Sequence, residues 1–277
     1  MEDARTIVVT GASSGIGAHC AHALAGRGWR VFATARNPTD IAALEAASIE
    51  SFYLDYRQPG SIAALADAVL DRTGGHIDAL FNNGAYAQPG AVEDLPVEAL
   101  REQFEANFFG WHDLTRRLVP AMRRQGRGRI VHCSSILGLV PASYRGAYVA
   151  SKYALEGLML CLRAELAGSG IHVSLIEPGP IRSRFAATAL GWFERNIAVE
   201  NSPHRDAYRA QLARMRAGGT QSRFKLEPDA VMAVLAHALD SPRPRPHYPV
   251  TLPAKTGLLL KRFLPASLFY RVVARQS

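Results

Sequence analysis

The sequence has few cysteines, no long apolar run and no dense block of basic residues. Its three cysteines, Cys20, Cys133 and Cys161, are too widely spaced for a disulfide framework or a C-x-x-C metal clip. We therefore expect reduced thiols in a cytoplasmic protein without a metal site. No stretch of about eighteen apolar residues occurs, so we expect no membrane-spanning helix. The start of the chain lacks the pattern of a signal peptide.

The composition is that of a globular protein. Of the 277 residues, 48% are hydrophobic and 20% are charged, which is enough apolar material for a full core. The 32 basic and 24 acidic residues leave a net charge of +8. A basic balance suits nucleic acid, a membrane surface or an anionic cofactor. Lys and Arg are spread along the chain with no run of five or more, so we expect no nucleic-acid partner.

Short β-branched runs alternate with helical stretches over the first 180 residues. This alternation implies right-handed crossovers and a parallel sheet that is covered by helices on both faces. The pattern predicts an α/β fold with a doubly wound, Rossmann-like sheet, whose ligands bind at the carboxyl ends of the strands. The predicted strands are 6–10, 30–35, 52–54, 77–82, 129–134 and 171–177, and a long helix is predicted over 96–124.

The alternation of strand and helix patterns ends after residue 180. The segment 185–224 has no strand signal, and we interpret it as a lid over the active site, with Trp192, Phe193 and Tyr208 as apolar walls. A helix over 227–240 and a last strand around 248–252 follow. No linker separates two cores, so we predict one domain over 1–253 and a basic, apolar tail over 254–277.

A glycine-rich turn links the first predicted strand to the first helix. The spacing G-x-x-x-G-x-G lets the backbone approach a pyrophosphate, which the helix N-terminus then binds. The residues predicted to bind the cofactor here are Gly11, Ser13, Ser14, Gly15, Ile16 and Gly17. The same residues match the G-x-S-x-G elbow of hydrolases, but that elbow follows several strands, and here only one precedes it.

Arg36 follows the second predicted strand. In many dinucleotide-binding folds, an acidic residue at this position binds the ribose 2′-hydroxyl of the cofactor and repels a 2′-phosphate. A guanidinium instead binds a phosphate dianion through paired, charge-assisted hydrogen bonds. The sequence therefore favours NADP(H) over NAD(H). A solvated surface arginine is the alternative interpretation of this residue.

Tyr148 and Lys152 lie four residues apart in a predicted helix, so they share one face. A free phenol titrates near 10, and a nearby ammonium lowers that pKa by favouring the phenolate. Ser135 closes the fifth predicted strand and is expected at the carboxyl edge of the sheet. These three residues predict a proton-transfer site beside the cofactor.

Four separated motifs resemble the short-chain dehydrogenase/reductase superfamily of the Tyr-x-x-x-Lys type. They are 10–17, Asn82-Asn83-Gly84-Ala85, Ser135 with Tyr148 and Lys152, and Pro178-Gly179. The segments 154–158 and 176–181 are similar to the branch that includes hydroxysteroid and retinol dehydrogenases and bacterial aldehyde reductases. In two places the chain departs from the family pattern: Asn-Asn-Gly-Ala replaces Asn-Asn-Ala-Gly, and Ser183 replaces a threonine.

The resemblance implies a role for each matching residue. Tyr148 is expected to be the general acid or base, and Lys152 is expected to lower its pKa and hold the nicotinamide ribose. Ser135 is expected to bind the substrate oxygen, and Asn107 to support a proton relay. The remaining residues implied to bind the cofactor are Asp55, Asn82, Gly84, Pro178, Gly179, Ile181 and Ser183.

The predicted function is hydride transfer between NADP(H) and a small apolar carbonyl or alcohol. The alternative is a non-enzymatic dinucleotide sensor or scaffold on the same fold. We expect a homodimer or homotetramer. The tail carries only basic charges among its apolar residues, and Pro265 interrupts any single helix in it. We expect the tail to pack on its own domain or on a partner subunit, with peripheral contact to a membrane as the alternative.

Overall fold

A seven-stranded parallel sheet organises the chain. The computed structural model describes residues 4–216 and 224–275. The strand order is β3-β2-β1-β4-β5-β6-β7, and every pair of neighbours is parallel. The strands are β1 (Thr6–Val9), β2 (Arg30–Ala35), β3 (Glu50–Tyr53), β4 (Ala79–Asn82), β5 (Gly128–Cys133), β6 (Ile171–Glu177) and β7 (His247–Pro249).

Helices connect the strands and cover the sheet. Helix α1 packs against α9, and α3 packs against α5, so each of these pairs forms part of a helical layer. The helices are α1 (Gly15–Gly26), α2 (Pro38–Ala46), α3 (Pro59–Arg72), α4 (Val97–Phe104), α5 (Gly110–Gln125), α6 (Gly146–Glu165), α7 (Phe185–Asn196), α8 (Arg205–Arg216), α9 (Asp229–Asp240), α10 (Leu252–Phe263) and α11 (Ala266–Arg275). The predicted doubly wound, Rossmann-like fold is confirmed.

The central strands β1 and β4 are mostly apolar because both of their faces are buried. Ile7, Val8 and Val9 in β1 are fully buried, as are Leu80 and Phe81 in β4. A strand with one solvated face would alternate between apolar and polar residues, whereas a parallel strand under two helical layers does not. The short unbroken runs in the sequence therefore come from strands in the middle of the sheet.

The strand order reverses direction between β1 and β4. The chain runs outward from β1 through β2 to β3, then returns to β4 on the other side of β1. Such a reversal opens a crevice at the carboxyl ends of the two strands, where ligands bind in open α/β sheets. The segments that follow β1, β4, β5 and β6 all lie at this edge.

One helix and one strand differ from their predictions. The single helix predicted over 96–124 is interrupted by a π-helical segment, Glu105–Phe109, between α4 and α5. A π-helical turn accommodates one extra residue, which the spacing rules for a regular α-helix do not predict. The last predicted strand extended to residue 252, but β7 ends at Pro249 and Thr251 caps α10, accepting a hydrogen bond from the Ala254 N–H at 3.3 Å.

The segment predicted as a lid is helical. It contains α7, a 3-10 turn at Val199–Asn201, and α8, while 217–223 lie outside the described residues. The tail also forms two helices, with Pro265 between α10 and α11, and α10 starts just before the predicted boundary at 253. Within 4–216 and 224–275, no helix combines the length and the apolarity needed to cross a membrane.

Helix α9 is held in place by apolar packing, so a substitution in this helix tests the assignment of the core. Leu235 is fully buried in α9, whereas Val97 is 55% exposed. We expect Leu235→Ala to lower the free energy of unfolding by about 2–5 kcal/mol, because it removes buried methyl groups and leaves a cavity. Urea denaturation measures the change. Val97→Ala is the control, and a loss of the same size in that variant would contradict the assignment of the core.

Candidate active site

The turn after β1 approaches the segment after β4 more closely than a side chain allows. Gly11 has a φ of +65°, and a Cβ added to it would come within 2.5 Å of the Gly84 Cα. A Cβ on Gly17 would lie 2.2 Å from the Gly11 carbonyl oxygen. Both glycines are therefore required by backbone packing. The approach leaves the N-terminus of α1 open at the edge of the sheet.

The N-terminus of α1 fits an anionic group. Ser14 is the N-cap residue, and its side chain makes no capping hydrogen bond. The leading N–H groups of a helix have no partner within the helix, and they carry its positive dipole end. Ser13 is exposed beside them, and Gly15 and Ile16 are partly buried. These residues fit the pyrophosphate of a dinucleotide.

Thr10 and Asn83 hold this turn in place, and neither was among the predicted site residues. The Thr10 hydroxyl oxygen accepts hydrogen bonds from the N–H groups of Asn83 at 2.8 Å and Gly84 at 3.2 Å. The Asn83 amide nitrogen donates to the Thr10 carbonyl at 3.1 Å. The sequence carries a signal for them, since a threonine directly follows β1 and a second asparagine directly follows β4.

Two predicted cofactor residues have side chains that are committed to protein partners. The Asn82 amide oxygen accepts a hydrogen bond from the Tyr56 hydroxyl at 2.6 Å, and its nitrogen donates to the Thr115 hydroxyl at 3.1 Å. The Asp55 carboxylate pairs with Arg57 at 2.6 Å. Burial raises the pKa of Asp55, but hydrogen bonds from Arg57 outweigh it, so the pKa lies below its usual value. The Asp55 carboxylate is therefore ionised and already paired with the Arg57 guanidinium.

Arg36 directly follows β2 and is exposed. Its charge is close enough to Asp55 to contribute to the lowered pKa of that carboxyl. In the described part of the chain, no acidic side chain forms an ion pair with Arg36. The guanidinium is thus free to meet an anion at the carboxyl edge of β2, where the ribose of a dinucleotide binds in such folds.

Tyr148 and Ser135 meet at the carboxyl edge of β5. Ser135 follows the strand and caps the 3-10 turn Ile136–Gly138, and its hydroxyl accepts a hydrogen bond from the Leu137 N–H at 3.1 Å. Burial raises the pKa of the Tyr148 phenol above its usual value, and the Cys133 thiol adds to the rise. A hydrogen bond with Ser135 and the charge of Arg145 act in the opposite direction.

Lys152 lies one turn after Tyr148 and is fully buried. Its ammonium donates a hydrogen bond to the Cys133 carbonyl at 2.9 Å and lies 4.0 Å from the centre of the Trp111 ring. The same ammonium is 5.7 Å from the centre of the Tyr148 ring. Burial lowers the pKa of Lys152 to about 8, while Cys133 and Glu156 raise it.

The expected electrostatic effect of Lys152 on Tyr148 is therefore not the largest one. The pKa of Tyr148 follows from burial first, and the groups that lower it are Ser135 and Arg145. Sequence analysis missed Arg145, which is partly buried at the start of α6, three residues before Tyr148. Burial and the charge of Arg214 lower the pKa of Arg145 itself, while Tyr148 raises it.

Asn107 lies in the π-helical segment and is fully buried. Its amide nitrogen donates to the Tyr86 carbonyl at 2.9 Å and to the Ser151 hydroxyl at 3.4 Å. Its amide oxygen accepts from the Tyr86 N–H at 3.2 Å. The side chain therefore ties the segment after β4 to the helix that carries Tyr148 and Lys152.

The segment after β6 also lies at the carboxyl edge of the sheet, beside the Ser135 turn and the glycine turn. The Pro178 carbonyl accepts a hydrogen bond from the Ile136 N–H at 3.1 Å, which joins this segment to the Ser135 turn. A Cβ added to Gly179 would lie 2.1 Å from the Thr251 hydroxyl, and one added to Gly15 would lie 2.8 Å from the Ser183 Cβ. Ile181 forms a β-bridge with Leu226. The structure thus brings Ser183 to the glycine turn.

Helices α7 and α8 supply apolar side chains to the neighbourhood of Tyr148. Phe185 packs edge-on against the Tyr148 ring at 5.5 Å, and Trp192 stacks on Tyr86 at 4.3 Å. Ala87, Ala189, Met215, Leu137 and Leu190 cluster with Tyr148. Phe193 and Tyr208, which were expected to be walls, are instead buried in a separate apolar cluster with Ala91 and Ile197. This cluster packs α7 and α8 against the segment at Ala91.

A buried acidic cluster lies one turn beyond Lys152. The Glu156 carboxylate is close to that of Glu177, and His247 Nδ1 is 2.6 Å from Glu177 and 3.7 Å from Glu156. The three groups offer ligand atoms within 4.8 Å of one another, a spacing that suits a shared proton or a cation. Burial raises the pKa of Glu156 to about 7, and Glu177 adds to the rise, while Ser134, His247 and Lys152 lower it.

This cluster makes the stability of the protein depend on pH. A carboxyl whose pKa rises from 4.5 to about 7 binds more protons in the folded state than in the unfolded state. The free energy of unfolding therefore falls as the pH rises through that window. His247 acts with the same sign, because its hydrogen bond to Glu177 raises its pKa.

We expect Glu156→Gln to remove much of this dependence. The variant should gain stability relative to the natural chain as the pH rises from 5 to 8, by at most about 1.4 kcal/mol per pH unit. Urea denaturation at several pH values measures the difference. Glu45→Gln, at an exposed position in α2, is the control. A gain that stayed constant from pH 5 to pH 8 would contradict the raised pKa.

Comparison with known proteins identifies the family. A family model described as short chain dehydrogenase matches residues 5–192. The uncharacterized oxidoreductase YbbO of Escherichia coli is 39% identical over 269 residues, which cover 97% of this chain and 94% of YbbO. The crystal structure of a short-chain dehydrogenase from Streptomyces avermitilis aligns with a TM-score of 0.80 and 33% identity, covering 98% of this chain and 97% of that one.

Two further structures hold dinucleotides. A short-chain dehydrogenase/reductase from Burkholderia phymatum, in complex with NAD, has a TM-score of 0.78 and 26% identity over 93% of this chain and 92% of that one. A variant of actinorhodin polyketide ketoreductase with NADPH has a TM-score of 0.74 and 28% identity over 92% and 98%. With the glycine turn, the Ser135–Tyr148 contact and Lys152 at one edge of the sheet, these matches show that the chain belongs to the short-chain dehydrogenase family.

Proposed function

We propose that this protein is an NADP(H)-dependent oxidoreductase that interconverts an apolar carbonyl compound and its alcohol. The observation that carries the proposal is the contact between Tyr148 and Ser135 under an apolar lid, with Lys152 one helical turn away. A phenol with a second hydroxyl beside it suits a carbonyl oxygen, which accepts two hydrogen bonds.

Proton transfer is the task of Tyr148. The bound nicotinamide supplies or accepts the hydride. In the direction of reduction, the Tyr148 hydroxyl donates its proton to the carbonyl oxygen while Ser135 donates a hydrogen bond to the same oxygen. Burial raises the pKa of Tyr148, so the phenol is protonated at neutral pH and ready to donate. In oxidation, the phenolate accepts the proton, and the charge of Arg145 favours that form.

Trp111 and the Cys133 carbonyl hold Lys152 at this site. An ammonium over an indole ring gains cation–π energy, which is larger when the pair is desolvated. The Trp111 ring is itself oriented by a hydrogen bond from its N–H to the Gly84 carbonyl at 2.9 Å. The ammonium is thus positioned by the same segment that closes the glycine turn. From there, Lys152 is suited to donate hydrogen bonds to the ribose hydroxyls of the cofactor.

The preference for NADP(H) rests on Arg36. The exposed guanidinium follows β2 and is suited to bind a 2′-phosphate through paired hydrogen bonds. Asp55, the nearby anion, is already neutralised by Arg57. The related structures contain NAD in one case and NADPH in the other, so the fold accommodates either cofactor.

The lid supports the proposal of an apolar substrate. The side chains around Tyr148 are Ala87, Leu137, Ala189, Leu190 and Met215, with Phe185 against the ring. Methionine and leucine adapt to irregular apolar shapes, and they exclude water from the proton donor. This lining suits the hydrocarbon part of an aldehyde, a ketone or a secondary alcohol.

We expect Tyr148→Phe to reduce kcat for carbonyl reduction by about 10²–10⁴-fold, because it removes the acid and keeps the ring. The measurement is NADPH oxidation with a panel of apolar aldehydes and ketones. Tyr153→Phe, on the same helix and 37% exposed, is the matched control and should retain activity. NADPH binding, followed by fluorescence, should be similar in all three proteins.

The same panel separates the enzyme from the alternative of a dinucleotide sensor. If the natural chain and Tyr148→Phe bind NADPH equally and are equally inert on every aldehyde and ketone, in both directions, the sensor is favoured. If the natural chain turns over and the variant does not, the sensor is excluded, since a sensor has no use for the acid.

We expect Arg36→Asp to weaken NADPH binding by about 10–100-fold, because it removes charge-assisted hydrogen bonds and adds a repulsive charge. NADH binding should change little. Dissociation constants for both cofactors, measured by fluorescence or calorimetry, test this expectation. Arg124→Asp, an exposed position on α5, is the control for the change in net charge. An equal loss of affinity for NADPH and NADH would contradict the assignment of Arg36 to the 2′-phosphate.

A further inference from the structure

The end of the chain carries charge of one sign. From Ser241 to the C-terminus there is no aspartate or glutamate, while lysine and arginine recur along it. The basic residues of this stretch are Arg243, Arg245, Lys255, Lys261, Arg262, Arg271 and Arg275. Arg243 and Arg245 precede α10, and the other five lie in α10 and α11.

One face of α10 packs on the domain. Ala254 is fully buried, and Gly257 faces Ile136 and Val140. The Lys261 ammonium donates a hydrogen bond to the Leu139 carbonyl and lies 5.3 Å from the centre of the Tyr153 ring. Helix α10 therefore rests on the loop that directly follows Ser135. The expectation that the tail packs on its own domain holds for this face.

The opposite face of α10 is apolar and exposed. Leu252, Leu259 and Phe263 are spaced seven and four residues apart, so they form one stripe along the helix. Their exposed fractions are 55%, 56% and 74%. The stripe lies on the far side of the helix from Ala254 and Lys261, because those residues are half a turn away. A helix that only covered its own domain would present polar residues there.

Other exposed apolar side chains lie close to this stripe along the chain. Leu260 is 40% exposed, and in α11 Leu268 and Tyr270 are 44% and 54% exposed. With Leu252, Leu259 and Phe263 they form a set that we call the tail face. Of the thirteen large apolar side chains that are exposed in the described residues, these six lie within twenty positions of one another. Concentration of this kind marks an interaction surface.

Cations flank the tail face. Lys255 and Arg262 are seven residues apart, so they lie on one shoulder of the exposed stripe. Neither forms an ion pair with an acidic side chain in the part of the chain that the structure describes. Long basic side chains beside an apolar stripe let the stripe enter the acyl region of a bilayer while the charges stay among the headgroups.

We propose that the tail face binds the surface of a membrane that contains anionic lipids. The apolar side chains enter the interface, and the basic residues of the tail meet the negative headgroups. This places the chain on the bilayer surface. It requires no membrane-spanning helix, and it does not depend on the proposed reaction.

A second copy of the chain is a poorer occupant of the tail face. A two-fold interface brings the same patch of two copies together. It would place Lys255, Arg262 and Arg271 of one copy near those of the other, and the tail has no acidic residue to offset them. Anionic headgroups supply the opposite charge, so charge complementarity favours the membrane.

The membrane surface would also lie beside the active site. The packed face of α10 touches the loop at 136–140, which begins at the residue after Ser135. An apolar substrate that is dissolved in the bilayer would therefore be concentrated near the rim of the cleft. This consequence rests on the proposed function, whereas binding to the bilayer does not.

The test is sedimentation of the full chain with lipid vesicles. One set contains phosphatidylcholine alone, and the other contains phosphatidylcholine and phosphatidylglycerol in equal parts. We expect at least about tenfold stronger binding to the anionic vesicles, and this difference should shrink as the salt concentration rises. Equal binding to both sets, or no binding to either, would overturn the proposal.

Paired variants separate the apolar and the electrostatic contributions. Leu259→Ser with Phe263→Ser, and Lys255→Gln with Arg262→Gln, should each weaken binding to anionic vesicles by about tenfold or more. The matched controls are Val92→Ser with Val97→Ser, which replace apolar residues that are 75% and 55% exposed, and Arg123→Gln with Arg124→Gln on α5. Controls that lose as much binding as the tail variants would count against the tail face.

Two further measurements make each outcome decisive. Far-UV circular dichroism and thermal unfolding establish that the variants fold. Analytical ultracentrifugation reports the oligomeric state. If the natural chain does not bind vesicles and the double variant Leu259→Ser with Phe263→Ser dissociates an oligomer, the tail face binds a second copy instead. Activity on water-soluble carbonyl compounds should be unchanged in the tail variants, so failure of vesicle binding leaves the proposed reaction untouched.

Discussion

The arrangement of the site depends on one close approach between two backbone segments. Gly11 after β1 and Gly84 after β4 come together where the strand order reverses, and a methyl group on Gly11 would not fit. The Thr10 hydroxyl oxygen accepts hydrogen bonds from the N–H groups of Asn83 and Gly84, and the Trp111 indole N–H donates to the Gly84 carbonyl. Because Trp111 also contacts Lys152, the glycine turn and this lysine are positioned by one connected set of contacts.

Burial sets the electrostatics of the site. It raises the pKa of Tyr148 and of Glu156, and it lowers the pKa of Lys152 to about 8 and that of His132 to about 3. Each shift favours the neutral form of the group, as expected where water is excluded. In the proposed reaction, the charge that develops on a substrate oxygen would be met by hydrogen-bond donors in a poorly solvated site.

The Ser135 turn links three parts of the molecule. It positions the hydroxyl that meets Tyr148, its Ile136 N–H binds the segment after β6, and its far side carries α10. Helices α7 and α8 cover the same region with apolar side chains. The Ser135 turn, the apolar side chains of α7 and α8, and α10 therefore lie near one another at the carboxyl end of β5, and both the proposed reaction and the proposed membrane contact rest on this arrangement.

The sequence by itself determined the parallel sheet, the glycine turn and the family motifs, because alternating apolar runs and glycine spacing are local features of the chain. Only the tertiary structure decided three other features. These are the π-helical turn at Asn107, the cation–π contact of Lys152 with Trp111, and the effect of the Arg145 charge on the pKa of Tyr148. The pKa of Tyr148 belongs with them, since burial outweighs the expected influence of a lysine one turn away. These properties depend on distances between segments far apart in the chain and on the exclusion of water, and neither is encoded in local spacing.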